Sequence, residues 1–265
     1  MAAVNVLAHQ RSLRSNLDRV HISFELPGFS LTKIHAENSS SSSSPDDSRL
    51  TTSELKKISR LYLIPIVGIV LYVVLDAVVQ SLPPHYSPIR DAESDLAVGP
   101  YGYIMAINFV NRGVLSLVFV FAFTKTINLS SGRQTAFRSG LYMLGVWGVG
   151  ALLLAAFPTD SPSSPVSWHG AIHLIVALSA FICGGVGVFS LSKYLGEDPA
   201  TSRIKNMGLA LGSVSMFLLV LELLSGFIIP RLARNFGGLI ERLFLGSVLL
   251  WILVLSVYLF SRNHN

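Results

Sequence analysis

Six strongly apolar stretches, each long enough to cross a bilayer, dominate this chain and leave little room for any other fold. They fall at roughly 61–80, 102–124, 138–157, 168–192, 207–230 and 239–260, each close to the ~20 residues that a bilayer core requires of a helix. Turn-forming and polar residues separate them: Pro83-Pro84, Ser130-Ser131-Gly132, Pro158 with Pro162 and Pro165, Glu197-Asp198-Pro199, and Pro230 with Arg231. Lipid offers no partner to a backbone N–H or C=O, so such spans must be helices that satisfy their own hydrogen bonds. The expected fold is all-α, a polytopic membrane bundle of six transmembrane helices over residues 59–262.

Composition closes off the main alternatives. Of the 265 residues 13% are charged, about half of the ~25% that a water-facing surface carries. The mean hydropathy is +0.56. A soluble enzyme is excluded on this ground. The formal net charge is +5, but cationic loops on one side of a membrane explain that excess without a nucleic-acid partner. Cys183 is the single cysteine, so no internal disulfide framework exists. The partner this composition does imply is membrane lipid.

The cations also give an orientation. Lys56, Lys57 and Arg60 precede the first span, Lys125, Arg133 and Arg138 follow the second, Lys193, Arg203 and Lys205 follow the fourth, and Arg262 follows the sixth. The alternate connections hold Arg90, then no Lys or Arg between Phe157 and Trp168, then Arg231, Arg234 and Arg242. The bias predicts that both termini are cytoplasmic, with the last outer connection dissenting. Tyr101, Tyr103 and Trp168 fall at outer interfaces, where amphipathic rings are favoured.

Residues 1–58 read as a separate, serine-rich and disordered cytoplasmic tail, with the Ser39–Ser44 tract followed by Pro45, Asp46 and Asp47. Such a segment buries too little apolar surface to offset its ordering entropy. Arg11, Arg14 and Arg19 resemble an organellar targeting peptide, which would mean an organelle membrane. Asp18, Glu25 and Glu37 argue against that reading and for the cell membrane.

Ionisable residues are expensive within lipid and each needs a reason. Of Asp76, Asn108, Asn111, Arg112, His169, His173, Glu222, Glu241 and Arg242, nearly all fall in the outer half of the bilayer or at its outer surface in this topology. The glycines inside the spans, by contrast, read as close helix packing. His169 and His173 stand at i and i+4, so both imidazoles share one helix face. With Asp160 just before them, they form a candidate catalytic or metal set, for which a divalent ion such as zinc would be the cofactor. The alternative is that the two histidines hydrogen-bond to neighbouring helices or to water at the membrane interface. Glu222 is a candidate second acid. Matching depths, roughly 15 Å and 12 Å below the outer boundary at helical rise, pair Arg112 with Glu222, with Asp76 as the next candidate.

Three motifs carry a resemblance. They are Asp95-Leu96-Ala97-Val98-Gly99-Pro100-Tyr101-Gly102, then Phe157-Pro158-Thr159-Asp160 followed by Trp168-His169-Gly170-Ala171-Ile172-His173, and Gly238-Leu239-Ile240-Glu241-Arg242 with Trp251. Together they resemble a family of six-helix membrane proteins of unknown function, largely bacterial and archaeal, over roughly residues 61–260. The resemblance implies the fold and points to Asp160, His169 and His173, but implies no activity. The Asp with His-x-x-x-His set is also similar to that of membrane hydrolases such as alkaline ceramidases and the progestin and adipoQ receptors, although the order and helix number differ. Three functions follow as expectations: an enzyme acting on a lipid or isoprenoid at the outer face, a small transporter or ion-coupled carrier, or a non-catalytic lipid-binding or assembly protein.

Overall fold

The computed structural model describes residues 52–83, 85–127, 133–161 and 164–262, all within one compact unit, Arg49–Asn265. Helices α1 (Thr52–Leu61) and α2 (Leu63–Val79) together supply the first span, Lys56–Val79. A 3-10 turn at Glu93–Ala97 precedes α3 (Gly102–Thr126). Then follow α4 (Gln134–Ala156), α5 (Trp168–Ser192), a 3-10 turn at Ser202–Ile204, α6 (Lys205–Phe227) and α7 (Pro230–Arg262). The described residues contain no strand, and 6 helical segments are long and apolar enough to cross a membrane. This is a multi-pass helical membrane protein.

Two boundaries differ from the sequence expectation. Within the serine-rich segment read over residues 1–58, residues 1–51 lie outside the described residues, and residues 52–58 open α1. The last span begins earlier than expected, at Pro230. Proline lacks an N–H that a first helical turn leaves unused anyway, and its fixed φ suits that position. Arg231 and Arg234 therefore lie on α7, and only Ile228 and Ile229 join it to α6.

Each span packs on the next, and α2 closes the ring against α7. Helix α7 is the most buried, with 56% of its apolar window inside the protein. Its Trp251 meets the rings of Phe119 and Phe123 edge-on at 5.7 and 6.1 Å and donates from Nε1 to Ser192 Oγ at 2.8 Å. The span glycines do serve packing: a Cβ on Gly184 would stand 2.6 Å from the Trp147 ring. Outside, Val67, Val70, Ile175 and Phe217 are more than half exposed and form part of the belt that contacts lipid.

The alternating path gathers the last turns of α2, α4 and α6 and the first turns of α3, α5 and α7 at one end. Asp76, Glu93, Arg112, Asp160, His169, His173, Glu222, Glu241 and Arg242 all lie towards that end. Lys125, Arg133, Arg138, Lys193, Arg203, Lys205 and Arg262 lie at the other.

Candidate functional site

Arg112 is buried, 2% exposed, and its partner corrects the sequence expectation. Nη1 lies 3.8 Å from Oε2 of Glu93, not beside Glu222. The depths of Arg112 and Glu222 do match, but α3 packs against α2, α4 and α7, while α6 packs against α5 and α7. Equal depth on helices that are not neighbours brings no contact. Glu93 comes instead from the connection after α2, whose 3-10 turn packs against α3 and α7. Aromatic rings complete the setting: the Arg112 guanidinium lies 5.1 Å from the Phe109 centroid and 5.0 Å from that of Trp147. Desolvated contacts of this kind are the stronger cation–π pairs.

Glu93 ties three elements together. The Tyr72 hydroxyl on α2 donates to its Oε1, and its backbone N–H donates to Oε2 of Glu241 on α7 at 2.8 Å. Burial holds the Glu93 carboxyl above the usual carboxylate range, and the Arg112 charge opposes that rise. Asn108 Nδ2 donates to the Tyr72 carbonyl at 3.2 Å, and Asn111 Nδ2 to that of Gly68 at 2.8 Å. Two intramembrane amides thus fasten α3 to α2.

Asp76 forms the second ion pair, its Oδ2 lying 3.8 Å from Arg242 Nε. Arg242 Nη1 donates to the carbonyls of Pro88, Asp91 and Gly238 at 3.1, 3.2 and 3.2 Å, and Nη2 to the Tyr86 hydroxyl. The amides of Gly238 and Leu239 donate to the carbonyls of Arg90 and Ile89 at 3.2 and 3.0 Å. The connection thereby lies directly on the α7 backbone. Gly238 permits that approach, because a Cβ there would collide with the Asp91 carbonyl.

Asp160 and His169 meet, as the sequence suggests, but through Ser167, the N-cap of α5. The Ser167 amide donates to Asp160 Oδ2 and its hydroxyl to Oδ1, both at 2.7 Å. With that proton given to Asp160, His169 donates from Nδ1 to Ser167 Oγ at 2.9 Å. The Ser167 hydroxyl also accepts from the Gly170 amide at 3.2 Å, satisfying one of the orphan N–H groups of the helix start. These two bonds from Ser167 hold the Asp160 carboxyl below the usual range.

His173 turns elsewhere. Its Nδ1 lies 2.8 Å from the Phe157 carbonyl, which can only accept, so that nitrogen carries the proton and caps the last turn of α4. Among the described residues no group of three or more His, Cys, Asp or Glu side chains is arranged to hold a metal ion. Glu222 lies on α6 with Oε2 buried and without a hydrogen-bond partner, and it interacts electrostatically with Glu241 across the α6–α7 hairpin. Sequence reasoning left Tyr72 and Tyr86 unremarked and read Glu93 as a loop residue. The available signal was arithmetic: two intramembrane arginines each demand a carboxylate, and an acidic connection adjoins them.

A cavity of about 390 Å³ opens along the α2–α7 seam beside this network. Asp76, Glu93 and Arg242 form its polar end, and Ile69, Val73, Leu250 and Leu253 are among its apolar walls. From Arg242 to Leu253 the wall runs roughly 16 Å along α7. Three atoms of these side chains, Asp76 Oδ1, Glu93 Oε2 and Arg242 Nε, are buried without a hydrogen-bond partner, although Oε2 faces Arg112 and Nε faces Asp76 Oδ2 at 3.8 Å. A second groove of about 570 Å³, lined by Leu117, Tyr142, Gly145 and Val149 among others, has no ionisable wall except the Tyr142 phenol.

No curated protein and no solved structure matches the chain. A family model described as a protein of unknown function, DUF998, matches residues 66–258. That stretch runs from α2 to the last turns of α7 and takes in the whole polar end. The chain belongs to the DUF998 family.

Proposed function

We propose that this protein binds a single-chain membrane amphiphile in the α2–α7 cavity, at the outer side of the bilayer, with both termini cytoplasmic. One observation carries the reading: an apolar groove of lipid-tail length ends on Asp76, Glu93 and Arg242, each of which holds a buried polar atom without a hydrogen-bond partner. Native proteins pair nearly all such atoms, and each one left unpaired costs about 1–3 kcal/mol. A ligand with an apolar tail and a polar head satisfies both parts at once, in a volume within the usual range of small-molecule sites. The described lysines, Lys56, Lys57, Lys125, Lys193 and Lys205, all lie at the end opposite the carboxylate-rich one, which supports the orientation.

Gly246 offers the test. It lines the cavity, and a Cβ added there meets nothing within 4 Å, so Gly246→Phe fills the space without disturbing the helix backbone. Native mass spectrometry of protein extracted with its lipid should find a retained amphiphile on the wild type and none on Gly246→Phe at equal thermal stability. Equal occupancy of the two proteins would overturn the reading.

A second reading draws on the Asp160–Ser167–His169 chain. There His169, its Nδ1 proton fixed by Ser167, would act as a general base from Nε2, with Asp160 setting the tautomer, His173 alongside and Glu222 as a further acid. The half-exposed His169 side chain supports access to a head group. His169→Gln should then abolish lipid turnover while leaving amphiphile retention intact.

A further inference from the structure

We infer that the amphiphile held between α2 and α7 has a cationic, ammonium head group and not a phosphate. The inference rests on the cavity reading above and gives its ligand a chemical class.

The polar end of the cavity is rich in acceptors. Asp76 Oδ1 accepts no hydrogen bond, and Glu93 Oε2 has only the Arg112 guanidinium, 3.8 Å away, beside it. The one ionic donor on the same wall is Arg242. Its Nη atoms are already engaged by three carbonyls and Tyr86, leaving only Nε, 3.8 Å from Asp76. Arg112 is held between Phe109 and Trp147 and is not part of the cavity wall. A phosphate would face two carboxylates and one edge of a guanidinium. An ammonium brings three donors and no acceptor, which suits a wall that holds two carboxylates and one largely committed arginine.

Charge balance points the same way. Asp76, Glu93, Asp95, Glu222 and Glu241 stand against Arg112 and Arg242 in one electrostatically linked cluster. Fully ionised, it carries an uncompensated negative charge in a poorly solvated setting, which is costly. A bound proton or a monocation reduces that charge. An alcohol would donate one hydrogen bond but leave the charge, so it should rank between the amine and the phosphate.

Proton and ammonium therefore compete, and retention of the amine should strengthen as pH rises. The groups facing this balance are Tyr72 and Asp76 on α2, Tyr86, Glu93 and Asp95 in the connection, Arg112 on α3, Glu222 on α6, and Glu241 with Arg242 on α7.

The test uses the full chain in phosphatidylcholine nanodiscs with dodecylamine, dodecanol and dodecyl phosphate, scored by native mass spectrometry against Gly246→Phe. The amine should be retained at least about tenfold more tightly than the phosphate, and Asp76→Asn should erase that preference. Equal retention, a preference for the phosphate, or an amine preference unchanged in Asp76→Asn would overturn the inference. If Gly246→Phe still abolishes retention in those cases, the cavity reading stands. Retention of none of the three, or retention indifferent to Gly246→Phe, would overturn both. The wild-type comparison of amine with phosphate does not depend on any variant folding.

Discussion

Arg112 and Glu93 meet 3.8 Å apart at the centre of the polar end, each side chain 2% exposed. The contact joins a membrane helix to the connection that precedes it, so one ion pair holds the 3-10 turn of residues 93–97 in the bundle. Removing one partner of a buried pair leaves the other charge stranded, at about 3–5 kcal/mol. Arg112→Ala should therefore lower thermal stability in detergent sharply and Glu93→Gln less, because the amide keeps an acceptor for Tyr72. A double-mutant cycle should show strong coupling between Arg112 and Glu93, and near-additivity between Arg112 and Glu222.

Two carboxyls give opposite pH slopes. Asp160 is held below the usual range by Ser167, so its contribution to stability is complete above the unfolded value of about 3.9. That contribution is lost as pH falls through the lower native value. Glu93 is raised by burial, so its contribution is complete below its unfolded value and is lost as pH rises through the native one. In melting curves against pH, Asp160→Asn should flatten the acid limb, and Glu93→Gln should remove the decline on the other side.

The start of α5 is a separable unit. Ser167→Ala removes the N-cap and the hydroxyl anchor of Asp160 while the amide anchor stays, and should cost about 1 kcal/mol. His173→Phe should cost more than His173→Gln, since only the glutamine can still donate to the Phe157 carbonyl. Equal losses in a thermal denaturation series would show that this hydrogen bond contributes nothing.

Orientation is open to chemical labelling. In a Cys183→Ser background, a cysteine at exposed Ser164 should react with an impermeant thiol reagent on intact cells, and one at exposed Lys193 only after permeabilisation. The reverse pattern would invert the topology.

What was legible in the sequence follows from how strongly each feature is constrained. The six spans stood out because lipid forces a long apolar run for every crossing. Packing by the span glycines was legible for a related reason, since small residues have few other uses there, and Gly184 against Trp147 bears it out. The partner of Arg112 was not legible. Sequence reports depth along a helix, but not which helices are neighbours, and Glu222 lies on α6, away from α3. Glu93 was hidden by its setting, because a polar stretch between spans reads as solvated loop until its fold over the bundle is seen. The Asp160 and His169 proximity was legible from spacing. The role of Ser167 between them was not, because a serine before a helix is ordinarily only a cap.

The central claim is that the α2–α7 seam, and not the lipid-facing surface at large, holds the amphiphile. The direct measurement is photolabelling in nanodiscs with a diazirine-bearing dodecylamine, followed by peptide mapping. The account predicts adducts concentrated on Val73, Leu249, Leu250 and Leu253 and lost in Gly246→Phe. Adducts spread evenly over the exposed belt, or concentrated in the groove of Leu117, Tyr142 and Val149, would contradict it.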